Sequence, residues 1–481
     1  MKDRQSITWV GGKQALRSRG RAKLRVFNRP TDDSELPNVN ESLRKALLEC
    51  GTPSLEGVSP REEAIELLKL AAEIEHVLMV QYLYAAMSVP PTGPNTKAWT
   101  TLMSIAEQEM GHLISVQNLL LAIGGPGAIH FGRDRIRVTN PENPMPFMLE
   151  QVSTTALAKY LAIEMPAEVP ANLKARVDPL VMIARQEGVK SHSVGALYAK
   201  LSWLFQPNDE PQAPLGLEPC ASAGLFAKRH LKPADFISQA ERERFEATRG
   251  DWVRGSVSKF ILDDSVGDAQ SALALISAIS KQGEGLEGQD ESHFEEFLAL
   301  AEAYASGAVT VVALPTTPVA SVPPPQDAGE STLIANVYSR AWAELFDIRY
   351  GLLVLDLWHA MATERGEARN ALIMLAYENM TLVKSVAFHI LSRRAENGAE
   401  DGAPPFGLAD EEMPTGTHER WQKHARLLDK EAEIIARIQT SPEYTNAAGD
   451  LLDFAGYLLL DDILARDATR RKLLEDGLQR V

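Results

Sequence analysis

The chain has 481 residues, 45% of them apolar, and 49 basic against 65 acidic side chains give a net charge of -16. That length is too great for one small core and predicts several folding units. The acidic balance argues against a nucleic-acid or anionic-membrane partner, which needs concentrated basic surface, and two widely separated cysteines, Cys50 and Cys220, argue against a disulfide framework or a zinc knuckle.

The first residues, Met1 to Arg29, are locally basic and read as a solvated or ordering tail. No apolar run follows them, so no secretory signal is expected. No uncharged apolar stretch reaches the length of about 18 residues that a membrane span needs, so a soluble, cytoplasmic protein is the expectation. Residues 1–58 are otherwise irregular, with one helical stretch near Glu41 to Cys50.

From Pro60 the pattern becomes helical. Ser59 reads as an N-cap, Pro60 as a first-turn proline, and Glu62 and Glu63 sit where the helix dipole favours acids. Apolar residues recur through Ile65, Leu68, Ala72, Val77 and Val80 until Pro90-Pro91 stops the helix. A second helix is predicted from Thr96 to Ile123, ending at Gly124-Gly125-Pro126, and a third from Pro146 to Met165. A fourth region spans Pro179 to Phe205, broken near Gly188. A Pro- and Gly-rich loop follows, then helices near Ala269 to Lys281 and Glu291 to Ala305. Val309 to Ala313 reads as a short strand.

The Pro-rich run 314–331 is the best domain boundary. The expected division is an N-terminal extension (1–58), a helical bundle (59–313), the connector (314–331) and a C-terminal helical region (332–481) of two long helices followed by two or three more. The Lys- and Glu-rich helix from Glu419 to Ile438 reads as a solvated face, and His389, His418 and His424 read as ordinary helix residues.

The second helix carries Glu109-Met-Gly-His112. Residues three apart share a helical face, so carboxylate and imidazole can grip one ion. They lie on a stripe with Ile105, Val116 and Leu120, which projects them into an apolar core. A buried carboxylate is costly unless paired or metal-bound. Alone, such a pair is more often a surface accident. It has company: Glu75 faces inward on the first helix with Met79 and Tyr82, and Glu164 does so on the third beside Tyr160. Di-metal bundles use one Glu from each of two helices and a Glu-x-x-His from each of the others. Glu75, Glu109, His112 and Glu164 supply much of that set, and such ligands suit iron, manganese or zinc better than magnesium or calcium. Asp356-Leu-Trp-His359 is a second carboxylate-x-x-His pair, more readily read as core-facing than as a ligand pair.

The strings EIEHVLMVQYLYAAMS, IAEQEMGHL, YLAIEMP, SVGALYAKL, DDSVGDAQSALALISAISKQGEG and ESHFEEF follow one another in an order that resembles a ferritin-like family. That family contains the iminophenyl-pyruvate dimer synthase domain of violacein biosynthesis. The resemblance runs from about residue 58 to 306, and more weakly through 332 to 410, where GAPPFGL resembles the family's Gly-Pro-Pro-Phe element. It implies a mostly α fold, a ferritin-like helical bundle with additional C-terminal helices. Carried over, the family's metal ligands fall on Glu75, Glu109, His112, Glu164 and His293. A further family glutamate falls on Ala196, which has no ligand atom. Three outcomes stay open there: Glu187 or His192 substitutes, one metal binds beside an open position, or the site is degenerate.

The resemblance implies one or two iron ions, with manganese or another transition metal as the variant. It implies a dioxygen-linked oxidative enzyme of secondary metabolism acting on an amino-acid-derived or aromatic small molecule. The partners expected are that substrate and dioxygen, together with a second copy of the chain or a biosynthetic enzyme. The rival reading is a degenerate scaffold in a biosynthetic complex, without catalysis of its own.

Overall fold

A computed structural model describes residues 7–10, 45–47, 50–55, 57–133, 147–206, 230–252, 265–283, 292–321, 331–397, 402–408, 414, 416–444 and 454–479. The chain forms two compact units, one of residues 1–147 and 152–312, the other of 148–151 and 313–481. Both are helical.

The first unit is organised around α1 (Pro60–Met87) and α2 (Thr96–Gly124), which pack along each other. Ser59 caps α1 as its sequence requires. The Ser59 hydroxyl accepts from the Glu62 amide at 3.2 Å, and the Glu62 carboxylate accepts from the Ser59 amide at 2.8 Å. From Leu70 to Tyr82 every residue of α1 is buried, so this helix forms the centre of the unit rather than an amphipathic wall. α2 ends at Gly125, whose φ of 71° suits glycine.

The third predicted helix is shorter than expected. α3 runs Thr154–Ile163, because the Ser153 hydroxyl caps it by accepting from the Ala156 amide at 3.0 Å. Residues 147–153 are not helical, and Pro146 lies outside the described residues. The fourth region divides into α4 (Lys174–Gln186) and α5 (Ser193–Phe205). Gly188 at φ 85° and His192 at φ 62° make the break. A short helix unmarked in the sequence follows, α6 (Gln239–Phe245), capped by Ser238. Then come α7 (Ala269–Gly283) and α8 (His293–Ala305). α3 packs on α8, α5 on α7, and α1 on α5.

Two expectations about strands are overturned. Residues 309–313 form no strand; the Val312 amide donates instead to the Ser88 carbonyl at 2.7 Å. The N-terminal segment supplies a strand, β1 (Thr8–Val10), antiparallel to β2 (Thr52–Ser54). The buried Glu63 fixes β2 by accepting from the Ser54 hydroxyl and the Leu55 amide, both at 3.2 Å.

The second unit contains a two-residue parallel pair, β3 (Pro318–Val319) with β4 (Thr332–Leu333), and α9 (Val337–Met361), α10 (Glu367–Asn397), α11 (Thr417–Gln439) and α12 (Phe454–Gln479). Phe406 of the GAPPFGL element is buried against Phe346 and Tyr350 of α9. A Cβ at Gly407 would lie 2.4 Å from Asp347 Oδ2, so a larger residue there would displace that carboxylate. Residues 367–393 are long and apolar enough to cross a membrane by length and composition, but half of that window is buried within the protein. Core helices of globular proteins share this property.

The interior of this unit corrects two readings. α11 is amphipathic rather than solvated all round: Trp421, His424, Leu427, Leu428, Glu431 and Ile435 are buried. His424 is fully buried, with Nε2 3.3 Å from His359 Nδ1 and Nδ1 3.5 Å from Asp356 Oδ1. The other Asp356 oxygen accepts from Arg470 and Asn379, both at 2.7 Å. Arg349 meets Glu431 and Asp467 in the same core. Asp356 and His359 are core-facing, as expected.

Candidate metal centre

Four helices of the first unit deliver five side chains to one buried cluster. α1 contributes Glu75, α2 contributes Glu109 and His112, the C-cap of α3 contributes Glu164, and the first turn of α8 contributes His293. All five are at most 2% exposed. Glu164 reaches the cluster because α3 ends at it, while Ser292 caps α8 and so fixes where His293 enters.

The geometry centres on Glu109. Its Oε2 lies 3.0 Å from His112 Nδ1, and its Oε1 lies 3.0 Å from His293 Nδ1. Glu75 Oε2 is 3.6 Å from His112 Nδ1, and Glu164 Oε2 is 3.8 Å from His293 Nδ1. The result is two groups, Glu75–Glu109–His112 and Glu109–Glu164–His293, whose ligand atoms within each group lie within 4.8 Å of one another. Glu109 belongs to both. Three carboxylates and two imidazoles are an oxygen- and nitrogen-rich set that suits iron or manganese. Two buried atoms point to what would complete it. Glu109 Oε1 and His293 Nδ1 face each other without forming a regular hydrogen bond, an arrangement that buried polar atoms avoid and that a shared cation would relieve.

Groups of the cluster shift one another's protonation. Burial pushes the Glu75 carboxyl up to about 8, with the Glu109 charge adding to it against the pull of His112. Burial opposes ionisation of Glu109 too, but His293 and His112 hold it well below the usual carboxylate range. Burial disfavours a charged His293, yet Glu109 and Glu164 raise it to about 10, and His112 is likewise held well above its ordinary value. Metal binding requires neutral imidazoles and ionised carboxylates, so loading would release protons.

The neighbours were less legible. Tyr82, which shares the inward face of α1 with Glu75, donates to Glu164 Oε1 at 2.6 Å. Tyr160 packs edge-on against Tyr82, and Phe297 closes the aromatic group. Tyr198, unmarked in the sequence reading, donates to Glu75 Oε1. Gln282 and Gln108 accept from the outer nitrogens of His112 and His293 at 2.9 and 3.2 Å. A buried tyrosine needs a partner for its hydroxyl, which is the one signal that pointed to Tyr198. The glutamines carried none.

Neither substitute considered for Ala196 joins either group. His192 turns Nδ1 to the Met165 carbonyl at 3.2 Å, and burial lowers its pKa to about 4. Glu187 is an exposed C-cap of α4. Ala196 itself is buried in the first turn of α5.

Residues 68–302 match the Ferritin-like family model. Dichlorochromopyrrolate synthase of Lentzea aerocolonigenes is 27% identical over 349 residues, covering 63% of this chain and 31% of that protein. The 2-imino-3-(indol-3-yl)propanoate dimerase of Chromobacterium violaceum is 31% identical over 140 residues, covering 23% of this chain and 14% of that protein. The chain thus spans under a third of the length of either relative. No solved structure matches it. The bundle formed by residues 68–302, which assembles the five-residue cluster, is thus similar to the ferritin-like family.

Proposed function

We propose that this protein is an iron-dependent, dioxygen-linked oxidative enzyme of secondary metabolism acting on an amino-acid-derived, aromatic small molecule. The observation that carries the reading is Glu109, a fully buried carboxylate that faces a different carboxylate–imidazole pair with each of its oxygens. Glu75, His112 and one Glu109 oxygen would hold one ion, and Glu164, His293 and the other oxygen a second. Bound iron would supply the redox capacity that protein side chains lack.

The chain's own residues do the rest. Burial of all five keeps bulk water from the centre and strengthens every electrostatic contact within it. Tyr82, Tyr160 and Phe297 form an apolar wall beside Glu164. The printed names of the relatives support the substrate class. One is a dimerase of an indole-bearing imino acid, and the other a synthase of a chlorinated pyrrole-type product.

The test is iron content after expression with iron supplied, followed by oxygen consumption with an indolic imino acid as substrate. Iron with substrate-dependent oxygen uptake supports the proposal. A wild-type protein that takes up no iron on anaerobic reconstitution overturns it and favours a scaffold.

A further inference from the structure

Every outer member of the cluster turns one atom inward and has another tied to a neutral partner outside. His112 points Nδ1 at Glu109 and Nε2 at Gln282 Oε1. His293 points Nδ1 at Glu109 and Nε2 at Gln108 Oε1. Glu75 accepts from the Tyr198 hydroxyl on Oε1 and turns Oε2 toward His112. Glu164 accepts from the Tyr82 hydroxyl on Oε1 and turns Oε2 toward His293. Among the five, Glu109 alone directs both oxygens at imidazoles.

We propose that Gln282, Gln108, Tyr198 and Tyr82 are positioning residues that decide which atom each ligand presents to metal. The inference rests on the metal-binding reading of the cluster. An amide oxygen only accepts hydrogen bonds, so each glutamine keeps the proton on Nε2 and leaves the Nδ1 lone pair facing inward. The Gln108 amide nitrogen lies 3.5 Å from Ser104 Oγ, one turn earlier on α2. A phenol that donates to one carboxylate oxygen draws charge from that oxygen and leaves the other as the better ligand. Glu75 and Glu164 are thereby made one-oxygen ligands at the two ends, while Glu109, with neither oxygen so capped, is left as the bridge.

The four partners are also uncharged. Three carboxylates against two divalent ions leave one net positive charge, and a carboxylate behind either histidine would remove it. The end of α7 serves both halves of the cluster. Gln282 backs His112, and the next residue, Gly283, has no side chain where a Cβ would press to 3.2 Å from Glu164 Oε2.

The experiment is a Co(II) titration of the metal-free full chain, read by stoichiometry and by visible absorption, whose intensity falls as coordination number rises. Gln282→Leu and Gln108→Leu should each weaken Co(II) binding about 10- to 100-fold, while Gln282→Glu, which keeps an acceptor for Nε2–H, should restore it. Tyr198→Phe and Tyr82→Phe keep the ring and lose one oxygen, so they test the idea should a leucine variant fail to fold. Each should bind the same number of ions with weaker visible absorption, as a freed carboxylate oxygen joins the ion. A wild type that binds Co(II) and four variants that titrate like it would overturn the positioning role. A wild type that takes up no Co(II) would overturn the metal reading first, and this inference with it.

Discussion

Glu109 Oε1 and His293 Nδ1 approach to 3.0 Å in the centre of the first unit, both fully buried, as a close pair without regular hydrogen-bond geometry. They come from α2 and α8, which are far apart in the chain. Burial strengthens such a close pairing of carboxylate and imidazole, and the same carboxylate repeats the approach to His112 with its other oxygen.

The shared position of Glu109 sets the ranking of ligand variants. Glu109→Ala should abolish most iron binding, since it strips a carboxylate from both groups. His112→Ala should do the same at the Glu75 end. His293→Ala should cost the ion on the Glu164 side and spare most of the other. Elemental analysis of protein reconstituted with Fe(II) checks this order. Unchanged iron in Glu109→Ala and His112→Ala would make the E-x-x-H purely structural.

His192 and Ala196 give an opposite expectation. His192 is spent on the Met165 carbonyl, so His192→Ala should leave iron content unchanged and lower stability by about 1 kcal/mol, the worth of one hydrogen bond. Because each group has its own Glu–His pair and shares Glu109, the wild type should bind near two ions per chain. Ala196→Glu should then add no iron and should lower the melting temperature of the metal-free protein, through a buried charge costing a few kcal/mol. One ion in the wild type, rising to two in Ala196→Glu, would instead identify Ala196 as an open ligand position.

The second unit should weaken in acid through its buried histidines. Burial, with the Arg420 charge adding to it, lowers His359 from 6.5 to about 3, and burial lowers His424 as well. The unfolded chain therefore binds more protons below pH 6.5. Stability present above that pH is lost as pH falls toward 3, by up to about 1.4 kcal/mol per pH unit for each histidine. Asp356 acts in the opposite sense, since burial raises it to about 6 against the pull of Arg470. The histidine contribution is thus read as a difference: between pH 6.5 and 4, His359→Asn should lose melting temperature less steeply than wild type. Parallel curves would refute it.

Arg349 holds Glu431 and Asp467 inside the same core. Arg349→Ala leaves both carboxylates buried without their cation and should destabilise the protein by about 3–5 kcal/mol. Arg349→Met with Glu431→Gln and Asp467→Asn should recover much of that. Chemical denaturation followed by circular dichroism separates the two, and a near-neutral Arg349→Ala would show that water reaches the core.

The sequence by itself determined the helical class, most helix boundaries and the five residues that meet in the first unit. The reason is local. Ser59 with Glu62, the Gly124-Gly125 stop and the i, i+3 spacing of Glu109 and His112 act within one or two turns of backbone, and the family strings supplied His293, which no spacing rule selects. Tertiary structure decided what lies between elements. It made Glu109 the residue common to both carboxylate–imidazole groups, set Tyr198 on Glu75 and Gln282 on His112, and turned His424 of α11 into the core beside His359. Those pairings depend on how helices distant in sequence pack together, and a polar side chain carries no mark of which distant partner it will meet. Residues 309–313 show the same limit for strands: a β-branched run becomes a strand only when a neighbouring backbone completes its ladder, and here the Ser88 carbonyl takes the Val312 amide instead.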